Sequence, residues 1–161
     1  MTRGGFRFIF IMDQTTSGLY MWDYNETYLA GRLRTIEKLL GMCEWIPREE
    51  LLVRVSHPHA RELVAGWEAK KEIFSIPSAE GALYPLFAFD AQMKPLPIIK
   101  AILTELEGDD PYAIASWFTM KNDWITEIVA GTAAAAAPMC TLEDYDRLLT
   151  AARNEKGTYF A

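Results

Sequence analysis

His57 and His59 flank Pro58 and are the only histidines in the chain. A His-x-His pair on a strand can place two imidazoles on one metal, and a histidine beside a nucleophile can act as a general base. Neither arrangement is completed here. No cysteine lies near the pair, and no serine or cysteine stands out as its nucleophile. The pair falls at an expected helix start, where polar side chains cap the helix or reach a partner. The acid pairs Asp109-Asp110 and Glu143-Asp144 have the right type for proton transfer. Both sit at expected helix starts, where the helix dipole favours negative charge. No glycine-rich phosphate loop, nucleophile elbow or zinc spacing occurs. The expectation is therefore a protein that binds rather than catalyses, with no metal and no cofactor.

Two other groups suit recognition. His57, His59 and Arg61 open a candidate DNA-reading helix. Its surroundings are poorly charged for that task, because residues 44–76 carry five bases against six acids, a net of one negative charge. Neutralising phosphate supplies most non-specific DNA affinity, so DNA is expected to be a weak partner. The second group is aromatic: Trp117, Phe118 and Trp124, with Asn122 among them. Large aromatics fill cores and also anchor binding surfaces, and the spacing alone leaves both readings open.

The elements that must position these residues are mainly helical. Leu29, Leu33, Ile36 and Leu40 recur at helical spacing, and Gly41 follows where a left-handed C-terminal residue is wanted. This stripe reads as a core-packing helix or as a seam for a homodimer, and it is too short for a free-standing coiled coil. Pro47 suits the start of a helix through Val55. Ser56 is placed to cap a second helix, with Pro58 in its first turn, running to Ala69. Residues 73–76 and 83–89 flank a turn ending in Gly81 and predict a β-hairpin, with Pro85 at its edge or at a bulge. Helix, turn, helix and hairpin describe a small winged unit. Further helices are expected from Pro97, from Pro111 behind an Asp110 cap, and from Leu142 to Arg153 behind Thr141. The five alanines 133–137 read as a short helix or a connector, and Phe6–Met12 as a short strand or an N-terminal arm. The expected fold class is mainly α with a small β-hairpin. Its parts are an arm and amphipathic helix (1–43), a helix-turn-helix pair with hairpin (44–90), and a helical domain (91–161).

The 161 residues are half apolar and 12% aromatic, enough for a packed core, with a formal net charge of −6. The acidic balance points away from a phosphate backbone as the main partner. Cys43 and Cys140 lie far apart and fit a reduced cytosolic chain better than a disulfide framework. The apolar run after Arg7 is cut short by Asp13, and no stretch approaches the roughly 18 apolar residues of a membrane span. The expected location is the cytoplasm.

Residues 73–76 and the run Gly81-Ala82-Leu83-Tyr84-Pro85-Leu86-Phe87-Ala88-Phe89-Asp90 resemble the opening of the toxin-binding domain of Xre/MbcA/ParS-type antitoxins. The resemblance continues through residues 95–103, 110–118 and 122–125. Residues 45–67 resemble the short helix-turn-helix that precedes this domain in some members. It covers residues 45–153. The chain differs after Trp124: the family carries a glycine-rich turn and a P-L-x-L segment, and this chain carries residues 126–139 with the alanine run. The resemblance implies a bacterial antitoxin that inhibits a toxin encoded alongside it, often a RES-domain enzyme that consumes NAD, and that contributes to repression of its own operon. The partner-binding candidates are Tyr84, Pro85, Phe87, Trp117, Asn122 and Trp124. The rival reading is a DNA-binding transcriptional regulator acting as a dimer.

Overall fold

The computed structural model describes residues 21–108 and 110–158. The strand expected at 6–12 and the side chain of Asp109 lie outside the described residues. The chain divides into two compact units, Met1–Arg34 and Thr35–Ala161. What is described of the first is the greater part of helix α1, Met21–Leu40. The second holds the end of α1 and every other element.

In chain order the second unit carries β1 (Trp45–Pro47), α2 (Arg48–Val55), α3 (Ala60–Ala69), β2 (Ile76–Ser78) and β3 (Gly81–Pro85). Then follow α4 (Pro97–Glu105), α5 (Pro111–Thr119), β4 (Asn122–Val129), β5 (Thr132–Ala136) and α6 (Tyr145–Thr158). The architecture is α+β, with six α-helices among the described residues and small antiparallel sheets. In the first sheet β3 is central: Ile46 pairs with Tyr84 on one side, and Pro77 pairs with Ala82 on the other. With α2 and α3 between β1 and β2, this is a helix-turn-helix pair with a three-stranded wing. One apolar core runs from Leu39 to Ala152, so segments 44–90 and 91–161 share it. The Tyr112 hydroxyl at the start of α5 donates to the Pro77 carbonyl on the wing at 2.7 Å.

Several local expectations shift, each for a physical reason. Leu39, not Leu40, is the buried leucine at the end of α1; Leu33 and Leu40 are exposed. Gly41 follows the helix but is not left-handed. Ser56 does not cap α3. It takes the left-handed conformation (φ 49°) and closes α2 through its N–H to the Val53 carbonyl. His57 Nδ1 accepts the His59 N–H at 3.0 Å, so α3 begins after the histidines rather than at Pro58. Asp110 does cap α5, its carboxylate accepting from the Tyr112 and Ala113 amides.

The expected hairpin is shorter than 73–76 paired with 83–89. Only Ile76–Ser78 and Gly81–Pro85 pair, around a two-residue turn that ends at Gly81 (φ 115°). Pro85 ends the central strand instead of lying on an edge. Having no N–H, it hands over to Leu86, whose amide donates to the Glu44 carbonyl at 2.8 Å, and a 3-10 turn over Leu86–Ala88 follows.

The alanine run forms neither a helix nor a connector. Ala130 (φ 50°) and Gly131 (φ 81°) both adopt positive φ, the requirement of a two-residue type I′ hairpin turn, and Val129 pairs with Thr132 across it. Pairing with β4 overrides the helix preference of alanine. Finally, Thr141 is not a helix cap. Residues 141–144 form a turn, with the Asp144 N–H on the Thr141 carbonyl at 3.0 Å, and α6 starts at Tyr145.

Candidate functional site

The six partner-binding candidates separate into two environments. Tyr84 and Pro85 are buried at the end of β3, and Trp117 is buried in α5. Phe87 is half-buried and joins an aromatic stack with Phe118 (ring centroids 5.4 Å apart) and Phe74 (6.3 Å). Phe74 and Phe118 lie nearly parallel at 5.3 Å, and Trp117 meets Phe118 edge-on at 5.1 Å. Such pairs add about 0.5–1.5 kcal/mol each beyond the area they bury. Asn122 is half-buried and turns the chain into β4, its Oδ1 accepting the Trp124 N–H at 2.9 Å. Trp124 alone is exposed, with 54% of its surface open.

Tyr84 belongs to a polar brace that the sequence reading missed. Its hydroxyl donates to the Glu68 carboxylate, and Arg48 Nη1 donates to both Glu68 oxygens and to the Tyr84 hydroxyl, each at 3.0 Å. The three residues come from the first turn of α2, the last turn of α3 and the middle of the wing, so the brace fixes the helix pair against the sheet. Burial, and then the Glu68 hydrogen bond, push the Tyr84 hydroxyl up to about 12. It is a neutral donor at physiological pH. Spacings of 20 and 16 residues carry no local signal that would have revealed it.

His57, His59 and Arg61 are exposed at and after the turn between α2 and α3. Arg61 pairs with Glu49 at 3.6 Å, and it is the one base within α3. Its charge is thus offset by an acid of α2. Among the described residues, no three of His, Cys, Asp and Glu come together as a metal-holding group. Burial raises the Cys43 thiol to about 11, which keeps it protonated at neutral pH and unsuited to nucleophilic attack.

Beyond the core, β4 and β5 form a ribbon that is anchored at its base and bare at its tip. Ile125 and Ala136 are buried, and Arg147 of α6 donates to the Thr126 carbonyl and, at 2.7 Å, to the Thr126 hydroxyl. Past Thr126 the strand leaves the core. Ile128 is 73% exposed and Val129 52% exposed. Ile128 lies opposite Ala133 and Val129 opposite Thr132, so adjacent residues place apolar side chains on both faces of the ribbon. The β5 edge is uncharged from Thr132 to Ala136, without the lysines or prolines that usually blunt an open edge. The sequence reading did not include Ile128 and Val129. The apolar residues of Trp124-Ile125-Thr126-Glu127-Ile128-Val129 were the available sign of a strand.

No helix among the described residues is long and apolar enough to cross a membrane. No protein-family model matches the chain, and no curated protein or solved structure matches it at a significant level.

Proposed function

We propose that this chain is a non-catalytic, antitoxin-type protein that binds and neutralises a partner protein, and that the β4–β5 ribbon is its contact surface. One observation carries the reading: Trp124, Ile128 and Val129 are exposed along one ribbon, Ile128 and Val129 on its opposite faces, and its β5 edge bears no charge. Large apolar side chains exposed on a strand are covered in complexes, where an aromatic anchor supplies much of the affinity. An open strand edge adds main-chain hydrogen bonds to an incoming segment. The likeness of residues 45–153 to Xre/MbcA/ParS-type antitoxins supports the same reading, with the toxin encoded alongside as partner.

The test is co-expression with the product of the adjacent reading frame. The chain should restore growth and co-purify with that product, and Ile128→Asp combined with Val129→Asp should lose both effects while the melting temperature stays unchanged. If the neighbour's toxicity is unaffected and no complex co-purifies, the reading fails.

A second reading is favoured by one specific feature, the winged helix-turn-helix arrangement of α2, α3 and β1–β3. It makes the chain a DNA-binding regulator of its own operon, with Arg61, His57 and His59 facing the duplex. The Arg61–Glu49 pair and the acidic surroundings count against strong binding. A mobility shift at low salt on the upstream DNA, abolished by Arg61→Glu, would support this role; the absence of any shift would end it.

A further inference from the structure

An open pocket of about 410 Å³ lies in the helix-turn-helix half, between α3 and the loop that follows the wing. Its size falls within the range of small-molecule sites. Val55 of α2, Leu63 and Trp67 of α3, and Met93 and Pro95 of the loop supply its apolar lining. Trp67 is held by Phe89, whose ring lies 6.3 Å away. The loop is held as well. Asp90 Oδ1 accepts the Gln92 and Lys94 amides at 2.9 Å each, and the Asp90 N–H donates to the Lys94 carbonyl at 2.9 Å. This network keeps Met93 at φ 58°, a conformation that glycine or asparagine adopts at less cost. The strain is spent on a residue whose side chain lines the pocket.

The polar groups at the rim are Lys94, His57 and Gln92, and no carboxylate lines the pocket in a chain of net charge −6. His57 Nδ1 already accepts the His59 N–H, so the neutral imidazole carries its proton on Nε2 and is left as a donor. The nearby Asp90 carboxylate is engaged with loop amides through Oδ1. From the apolar lining with the planar Trp67 ring and the exposed Lys94 and His57 beside it, we infer that this pocket binds a small amphiphile with a planar apolar body and one anionic group. The body would lie on Trp67 and against Met93, and the anion would meet the Lys94 ammonium and the His57 Nε2–H.

The experiment uses the full chain, isotope-labelled, titrated with 2-naphthoate and with the neutral 2-naphthamide. Saturable amide shifts are expected at His57, Leu63, Trp67 and residues 92–94, with the amide ligand binding roughly fivefold weaker or worse. Lys94→Gln should weaken naphthoate to the level of the amide. Lys94→Glu should reverse the preference, so that 2-naphthylmethylamine binds more tightly than naphthoate. Shifts elsewhere in the spectrum report whether each variant keeps its fold; the loop bonds of residue 94 use only its backbone. Equal binding of acid and amide by the native chain would overturn the inference. So would naphthoate binding that survives Lys94→Gln unchanged, or no saturable shift in the pocket at millimolar ligand.

Discussion

The aromatic stack around Phe118 and the β4–β5 ribbon are both rich in large apolar residues, yet they do opposite things with them. The stack closes Phe74, Phe87, Trp117 and Phe118 on one another inside the core. The ribbon carries Trp124, Ile128 and Val129 out of it. Density of aromatics therefore marks neither region as a surface. What separates them is the partner each side chain already has.

The sharpest way to break this comparison is to remove the centre of the stack. Phe118→Ala should destabilise the fold by about 3–5 kcal/mol, read by chemical or thermal denaturation. Any loss of partner binding should track the unfolded fraction. A loss of binding at full folding would move the contact surface into the stack.

Next in size is the brace. Tyr84→Phe should cost about 1–2 kcal/mol, because Arg48 and Glu68 keep each other while the hydroxyl's two partly buried hydrogen bonds, to Glu68 and from Arg48, are lost. Its pH signature is directional. The folded state holds the Tyr84 proton to about 12, above the ordinary tyrosine value of about 10. The contribution is thus fully present below pH 10 and is lost as pH rises from there through about 12. Denaturation curves across that window should fall more steeply for the native chain than for Tyr84→Phe.

Cys43 gives a chemical contrast within the folded chain. Its thiol is pushed up to about 11 by burial, whereas Cys140 is exposed. Alkylation near pH 8, followed by mass spectrometry, should label Cys140 first, with Cys43 gaining reactivity as pH approaches 11. Equal rates at pH 8 would contradict the burial of Cys43.

The smallest expected effect on stability belongs to the ribbon. Ile128→Asp should change folding free energy by no more than about 0.5 kcal/mol, since an exposed side chain loses little burial. A large destabilisation would place Ile128 in a packed contact and remove it from the candidate surface.

How much of this was legible in the sequence follows the range of the forces involved. Asp110 before Pro111, the helix-turn-helix pair and the wing's Gly81 turn are local, and each was readable. The ribbon was not, because its turn is Ala130-Gly131 rather than Asn-Gly and its second strand is alanine, a helix former in isolation. The strand exists because β4 supplies hydrogen bonds that no residue of β5 announces. Tyr84 was singled out through the family-like stretch 81–90 and Trp117 through the aromatic group, and only the packing of β3 and α5 shows that they point inward. The Arg48–Glu68–Tyr84 brace joins three elements at long separation and had no local signature at all.

The most direct test measures the affinity of the purified chain for the product of the adjacent reading frame, before and after Ile128→Asp with Val129→Asp. The ribbon account predicts an unchanged melting temperature with affinity lowered by at least tenfold. An unchanged affinity at an unchanged melting temperature would contradict it.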